Sequence, residues 1–204
     1  MNSYQITLFL EKDTIYKISK VSAELLEKIN ELGEPILMPD NISAPREANI
    51  PLIIFNKNPN VQVMMSFQTI IISIVENNEI DLLEKLADFM STLNNNDIHS
   101  NRLGYVKNSV LNNEKIIEFK ENTFKRKENI GCKDFEFSCL NEITINDINV
   151  NCWERYYTNS EINNNLNIIF DVNTKAMEKY NIDIEFINKF IKESDLYIDK
   201  EIFK

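Results

Sequence analysis

Apolar side chains recur at every second position from Val61 to Val75, and this run limits what the chain can fold into more than any other feature. Val61, Val63, Met65 and Phe67 alternate, and Ile70, Ile72 and Ile74, or their odd-numbered neighbours, continue in β-branched residues. A period of two in such residues is the pattern of a pleated strand. Ser66-Phe67-Gln68 interrupts it, which predicts two antiparallel strands with a bend there; one long strand is the competing reading. Asn77-Asn78 then caps a helix through Leu93, whose inward stripe is Leu82, Leu83, Leu86, Met90 and Leu93. Asn94-Asn95-Asn96-Asp97 ends it.

The rest of the chain repeats that order. Tyr4 to Leu10 alternates as a strand, and Ser22 caps a helix to about Leu32 that Gly33 and Pro35 stop. All five prolines (Pro35, Pro39, Pro45, Pro51, Pro59) fall between residues 35 and 59. That segment is expected to be extended and turn-rich, with at most a short edge strand such as Leu52–Phe55. A strand follows around Arg102–Val110, then an ambiguous charged stretch at 113–129. Cys132–Ile145 and Ile148–Tyr157 read as a long hairpin turning at Asn146-Asp147. Leu166–Val172 is another strand, and Ile184–Phe203 a helix with Phe186, Ile187, Phe190, Ile191, Tyr197, Ile198 and Ile202 on one face.

Strands before a helix, twice over, predict an α+β protein: antiparallel sheet or sheets with helices on one face. Two successive sheet-then-helix lobes, 1–98 and 99–204, or one continuous domain both satisfy the pattern. No fixed-period sequence repeat accompanies it.

Composition excludes more than it selects. With 32 acidic against 22 basic residues the formal charge is -10, so bare phosphate backbones and anionic membranes are disfavoured partners. Three glycines in 204 residues (Gly33, Gly104, Gly131) leave no Gly-rich phosphate cradle. The single histidine, His99, sits in a polar loop and reads as solvated; His-based metal sites and Cys–His or Ser–His–Asp chemistry lack material. Three cysteines (Cys132, Cys139, Cys152) without C-x-x-C spacing suit neither a disulfide framework nor a zinc knuckle. No cofactor, metal or catalytic set is expected. The N-terminus shows no basic leader and no apolar run spans a bilayer, which predicts a reduced, cytoplasmic protein. The Asn, Ile, Lys and Glu bias suggests an AT-rich bacterial or phage genome.

Only carboxylates are abundant enough for catalysis. Asp134, Glu136 and Glu142 on the hairpin, or Glu118 two residues before Lys120, are what a metal-dependent nuclease or hydrolase would use; the plain reading is the solvent side of half-buried strands. The basic island Lys120, Lys125, Arg126 and Lys127 is flanked by Glu118, Glu121 and Glu128, and reads as a solvated face. Trp153, Tyr156 and Tyr157 beside Glu154 and Arg155, with Asp134 and Glu136 on the facing arm, form the candidate partner-binding group. Strand alternation sends half of that aromatic group into the core.

Arg102-Leu103-Gly104-Tyr105 and Asp171-Val172-Asn173-Thr174, followed by a terminal amphipathic helix, resemble the R-x-G-x-Y-like and D-x-N-T-like strands of a sporadically distributed family of uncharacterised bacterial α+β proteins. The resemblance covers residues 50–204 and implies fold, not activity. In order alone, four-strand sheets before a long helix are similar to SecB-type chaperones. The leading expectation is therefore a non-enzymatic protein-interaction factor whose partner is another protein with a basic groove. Host defence or counter-defence is the expected setting, with an acidic inhibitor of a CRISPR-type nuclease as the example. A chaperone-like oligomeric binding module and a carboxylate-dependent nuclease or hydrolase are the alternatives.

Overall fold

The computed structural model describes residues 3–11, 18–28, 32–37, 50–56, 60–75, 79–111, 116–119, 121, 134–159, 163–176, 178 and 180–202, without the side chains of 18–19, 79–85, 159 and 163–164. The elements are β1 (Ser3–Leu10), α1 (Ile18–Lys28), β2 (Ile36–Leu37), β3 (Ile53–Phe55), β4 (Val61–Met65) and β5 (Thr69–Val75), then α2 (Glu79–Asn95). After it come β6 (Ser100–Leu111), β7 (Glu136–Ile145), β8 (Ile148–Asn159), β9 (Asn163–Thr174) and α3 (Ile184–Ile202). Residues 116–119 are helical.

All nine described strands form one antiparallel sheet in the order β2-β3-β4-β5-β1-β6-β9-β8-β7. The α+β class with helices on one face is what the chain adopts. The sheet runs unbroken across residue 98, because β1 pairs with β5 on one side and with β6 on the other, from Ser3–Asn108 to Phe9–Arg102. Each half is ordered by the same rule. From the β1–β6 pair outward, β6-β9-β8-β7 reads first strand, fourth, third, second, and β1-β5-β4-β3-β2 reads first, fifth, fourth, third, second; in both, the last strand follows the first and the order then runs backward. The two first strands meet as the seam.

Local chemistry explains most boundaries. The bend between β4 and β5 is held by Ser66, whose Oγ accepts from the Gln68 and Thr69 amides at 3.2 and 2.9 Å. The β7–β8 hairpin turns at Asn146 and Asp147 with φ of 53° and 61°, the two-residue primed turn that Asn and Asp tolerate. Asp183 caps α3: its Oδ1 accepts from the Phe186 amide at 2.8 Å. Ile187, Phe190 and Ile198 of α3 are fully buried, each contributing about 2 kcal/mol to docking. α2 lies between α1 and α3 and contacts both.

Three expectations need correction. Ser22 is not a cap: α1 begins at Ile18, and Ser22 lies inside it at 5% exposure. The helix therefore starts a turn earlier than the sequence signal. Residues 53–55 are not at the sheet edge either, since β2 covers them through Ile36–Ile54 and Leu37–Ile53. The first arm of the hairpin starts at Glu136, not Cys132. Asn77-Asn78, three of the prolines (Pro39, Pro45, Pro59), Cys132 and the basic island fall outside the described residues.

Candidate functional site

Side chains in a strand alternate between faces, so the sheet has a helix side and an opposite side. On β8, Val150, Cys152, Glu154 and Tyr156 point to the helices; Trp153, Arg155 and Tyr157 point away. The candidate group is thus divided. Glu154 and Tyr156 are 6% and 8% exposed, whereas Trp153 is 49% exposed. Glu154 is an interior carboxylate held by Asn141 Nδ2 at 2.8 Å and by the Tyr197 and Tyr156 hydroxyls, each at 3.1 Å. It ties β7, β8 and α3 together and leaves the partner-binding set, as does Tyr156, which stacks on Phe119. Glu136 stays on the open side, 3.1 Å from Arg155 Nε. Asp134 is exposed just before β7.

No described element covers the open side. Cross-strand register carries one row of side chains over it: Leu140, Trp153, Asp171, Val106, Gln5 and Ser73 lie opposite one another in turn on six neighbouring strands. The surface is dished. A depression of about 640 Å³ lies between Phe9, Ile71, Arg102, Val106 and Asn173, and a second of about 350 Å³ between Ser138, Trp153, Arg155 and Ile169. Asp171 borders both.

The two motif strands make the floor of the larger depression. Gly104 of β6 lies opposite Asn173 of β9. A Cβ at 104 would stand 2.5 Å from Asn173 Oδ1, too close to coexist, but at an ordinary 3.5 Å from Phe9 Cε2, so the glycine makes room for the Asn173 side chain. Asn173 Nδ2 donates to Asp171 Oδ1 at 2.5 Å, and the Arg102 guanidinium stands 4.4 Å from the centre of the Phe9 ring. Burial raises the Asp171 carboxyl above its ordinary range, with the Asn173 hydrogen bond opposing. On the helix side of the same strands, Thr174 Oγ accepts from the Leu103 amide at 2.9 Å.

The residues that sequence reasoning did not single out for this surface are Phe9, Ile71, Val106, Ile169 and Leu140. One signal was present. Ile70-Ile71-Ile72 is apolar on both faces, the pattern of a strand covered on both sides, yet the described helices cover only one.

Among the described residues no group of three or more His, Cys, Asp and Glu is placed to hold a metal. His99 is exposed, and its carbonyl accepts from the Glu11 amide at 3.1 Å. Glu118 is exposed on the 116–119 turn, while Lys120 lies outside the described residues. Cys139 and Cys152 are free thiols; burial pushes Cys152 up to about 12 and raises Cys139, so neither is a ready thiolate. Among the described residues no helix is long and apolar enough to cross a membrane. Compared with known proteins, the chain matches no family model and no curated protein.

Proposed function

We propose that this protein is a non-enzymatic polypeptide-binding protein that holds apolar segments of a partner protein against the open face of its sheet. One observation carries the reading: Phe9, Ile71, Val106, Ile169, Trp153 and Leu140 stand between the polar residues of the face opposite the helices, where a sheet face left to water is ordinarily polar throughout. The order of elements, similar to that of SecB-type chaperones, points the same way. The side-chain amides of Gln5, Asn173 and Asn108, which donate to Thr7, Asp171 and Ser3, stand among these apolar groups.

The partner's chemistry follows from the face. Arg155 pairs with Glu136, and Arg102 and Asp171 line the same depression, so its charges are mixed and it is not an acidic surface. An apolar, extended chain fits it better than the basic groove of a nucleic-acid-binding effector. The inhibitor reading draws on acidity (a net charge of -10) and size, and its host-defence setting on the AT-rich composition bias.

Trp153 is the chain's single tryptophan and lies on this face, so its emission reports occupancy directly. Titration with a reduced, alkylated, unfolded polypeptide is expected to shift that emission to the blue and to saturate. Ile169→Lys should weaken the binding at least tenfold, the cost of opposing a buried apolar contact with a charge. Emission that ignores unfolded chains, or turnover on a small substrate lost in Asp171→Asn, would overturn the reading.

A further inference from the structure

The sheet has two edges of unequal kind. β2, at one end, has two residues, while β7, at the other, has ten. A bare edge offers a row of unpaired N–H and C=O groups, which proteins blunt by shortness, proline, lysine, bulges or inward charge. β2 is short. β7 has none of these devices: it contains no proline or lysine, and its register with β8 runs without a shift from Glu136–Tyr157 to Ile145–Ile148. Its two carboxylates are already engaged, Glu136 by Arg155 at 3.1 Å and Glu142 by Lys175 at 2.6 Å. Phe137 and Leu140, on opposite faces, are 40% and 50% exposed. Among the described residues no strand pairs with its outer side.

The turn fixes which groups face outward. A two-residue primed turn makes Ile145–Ile148 a hydrogen-bonded pair. Counting back by alternation, the even-numbered residues from Glu136 to Thr144 direct their N–H and C=O groups to the free side. An added antiparallel strand must set its own outward residues against these. A second β7 does so when centred on Leu140: Leu140 meets Leu140, Ser138 meets Glu142, Glu136 meets Thr144 and Phe137 meets Ile143. No glutamate then opposes a glutamate, and roughly ten backbone hydrogen bonds become available. Centring on Cys139 sets Glu136 against Glu142, and centring on Asn141 sets Leu140 against Glu142.

We propose that β7 is a dimerisation edge on which a second copy of this chain adds antiparallel at Leu140. The two nine-stranded sheets then join into one, and the dyad stands perpendicular to it. Both uncovered faces therefore end on the same side. The contact is independent of whether a polypeptide binds there.

Sedimentation equilibrium of the full chain over a range of concentrations tests this. The expected result is a monomer–dimer equilibrium with a limiting mass of twice 23.9 kDa. Ser138→Pro deletes one outward N–H that β8 does not use, and should leave a monomer with unchanged circular dichroism. Leu140→Lys, which keeps every backbone group, should weaken the dimer at least tenfold and guards against misfolding of the proline variant. A wild-type monomer at the highest concentration reached overturns the proposal. So does a dimer that survives both substitutions, which would place the contact elsewhere.

Discussion

A methyl group at position 104 has no room unless Asn173 moves, and Asn173 is not free to swing because its amide is tied to Asp171. The obstructing atom is nonetheless the far end of a side chain, which keeps the cost at the low end of overpacking. Gly104→Ala is expected to cost about 1 kcal/mol in a urea titration. In a Gly104→Ala/Asn173→Ala double variant most of that cost should disappear, giving a coupling of opposite sign to the single loss. Equal losses in both backgrounds would mean that the glycine serves the backbone and not the crossing of Asn173. The same scale shows where the candidate site was hard to read. On β8, Val150, Cys152, Glu154 and Tyr156 face Asn151, Trp153, Arg155 and Tyr157, one charge and one or two aromatics per face. Alternation says that the group divides but not which half is buried. Burial of Glu154 is settled by partners remote in sequence, Asn141 and Tyr197, which no local pattern announces.

α3 is fastened to the sheet by charge as well as by its apolar stripe. Lys107 is 7% exposed, and its ammonium lies 3.0 Å from both Asp195 and Asp199, with the Tyr105 hydroxyl on Asp195 at 2.8 Å. Burial works against the lysine's charge, but the two carboxylates outweigh it and hold its proton above the ordinary lysine range. With two acids around one base, burial and Asp199 raise Asp195 in turn. Because Lys107 binds its proton more tightly folded than unfolded, its contribution is complete below the unfolded value of about 10.4. It is lost as pH climbs through the higher folded value. Lys107→Met should therefore lower stability by about 2 kcal/mol at neutral pH, less than a fully buried pair because Asp199 is half exposed. The difference in Tm between the variant and the parent should shrink above pH 10. A constant difference up to pH 12 would assign the loss to packing. Elements of this kind were legible where chemistry is local. The Asn146-Asp147 turn, the Ser66 bend and the α3 stripe each carry their own signal within a few residues. The start of α1 was not, because Ser22 has the side chain of a cap while sitting on the buried face of a helix already under way.

At the level of the whole molecule, the sequence shows two runs of strands each closed by a helix, and both runs exist. What it does not show is that they share a sheet. Pairing of β1 with β6 joins residues about a hundred positions apart, and nothing near Tyr4 or Tyr105 specifies the neighbour. The open face was hidden for a related reason, since it is assembled from single residues of six strands. If the halves are separate units joined at the seam, residues 1–98 and 99–204 expressed as two chains should reassociate, and Thr7→Pro, which removes a donor within β1, should weaken that reassociation. Failure of the two fragments to combine when refolded together would mean that the sheet forms only as a single unit.

A joint made inside one polypeptide obeys different mass action from one made between two. Because β1 and β6 belong to the same chain, each meets the other at an effective concentration set by the connecting residues, and dilution does not separate them. The β7 edge has no such tether. The seam thus keeps both halves together at any abundance, while the far edge answers to how much protein is present: the span of open sheet offered to a partner becomes a readout of the protein's own concentration.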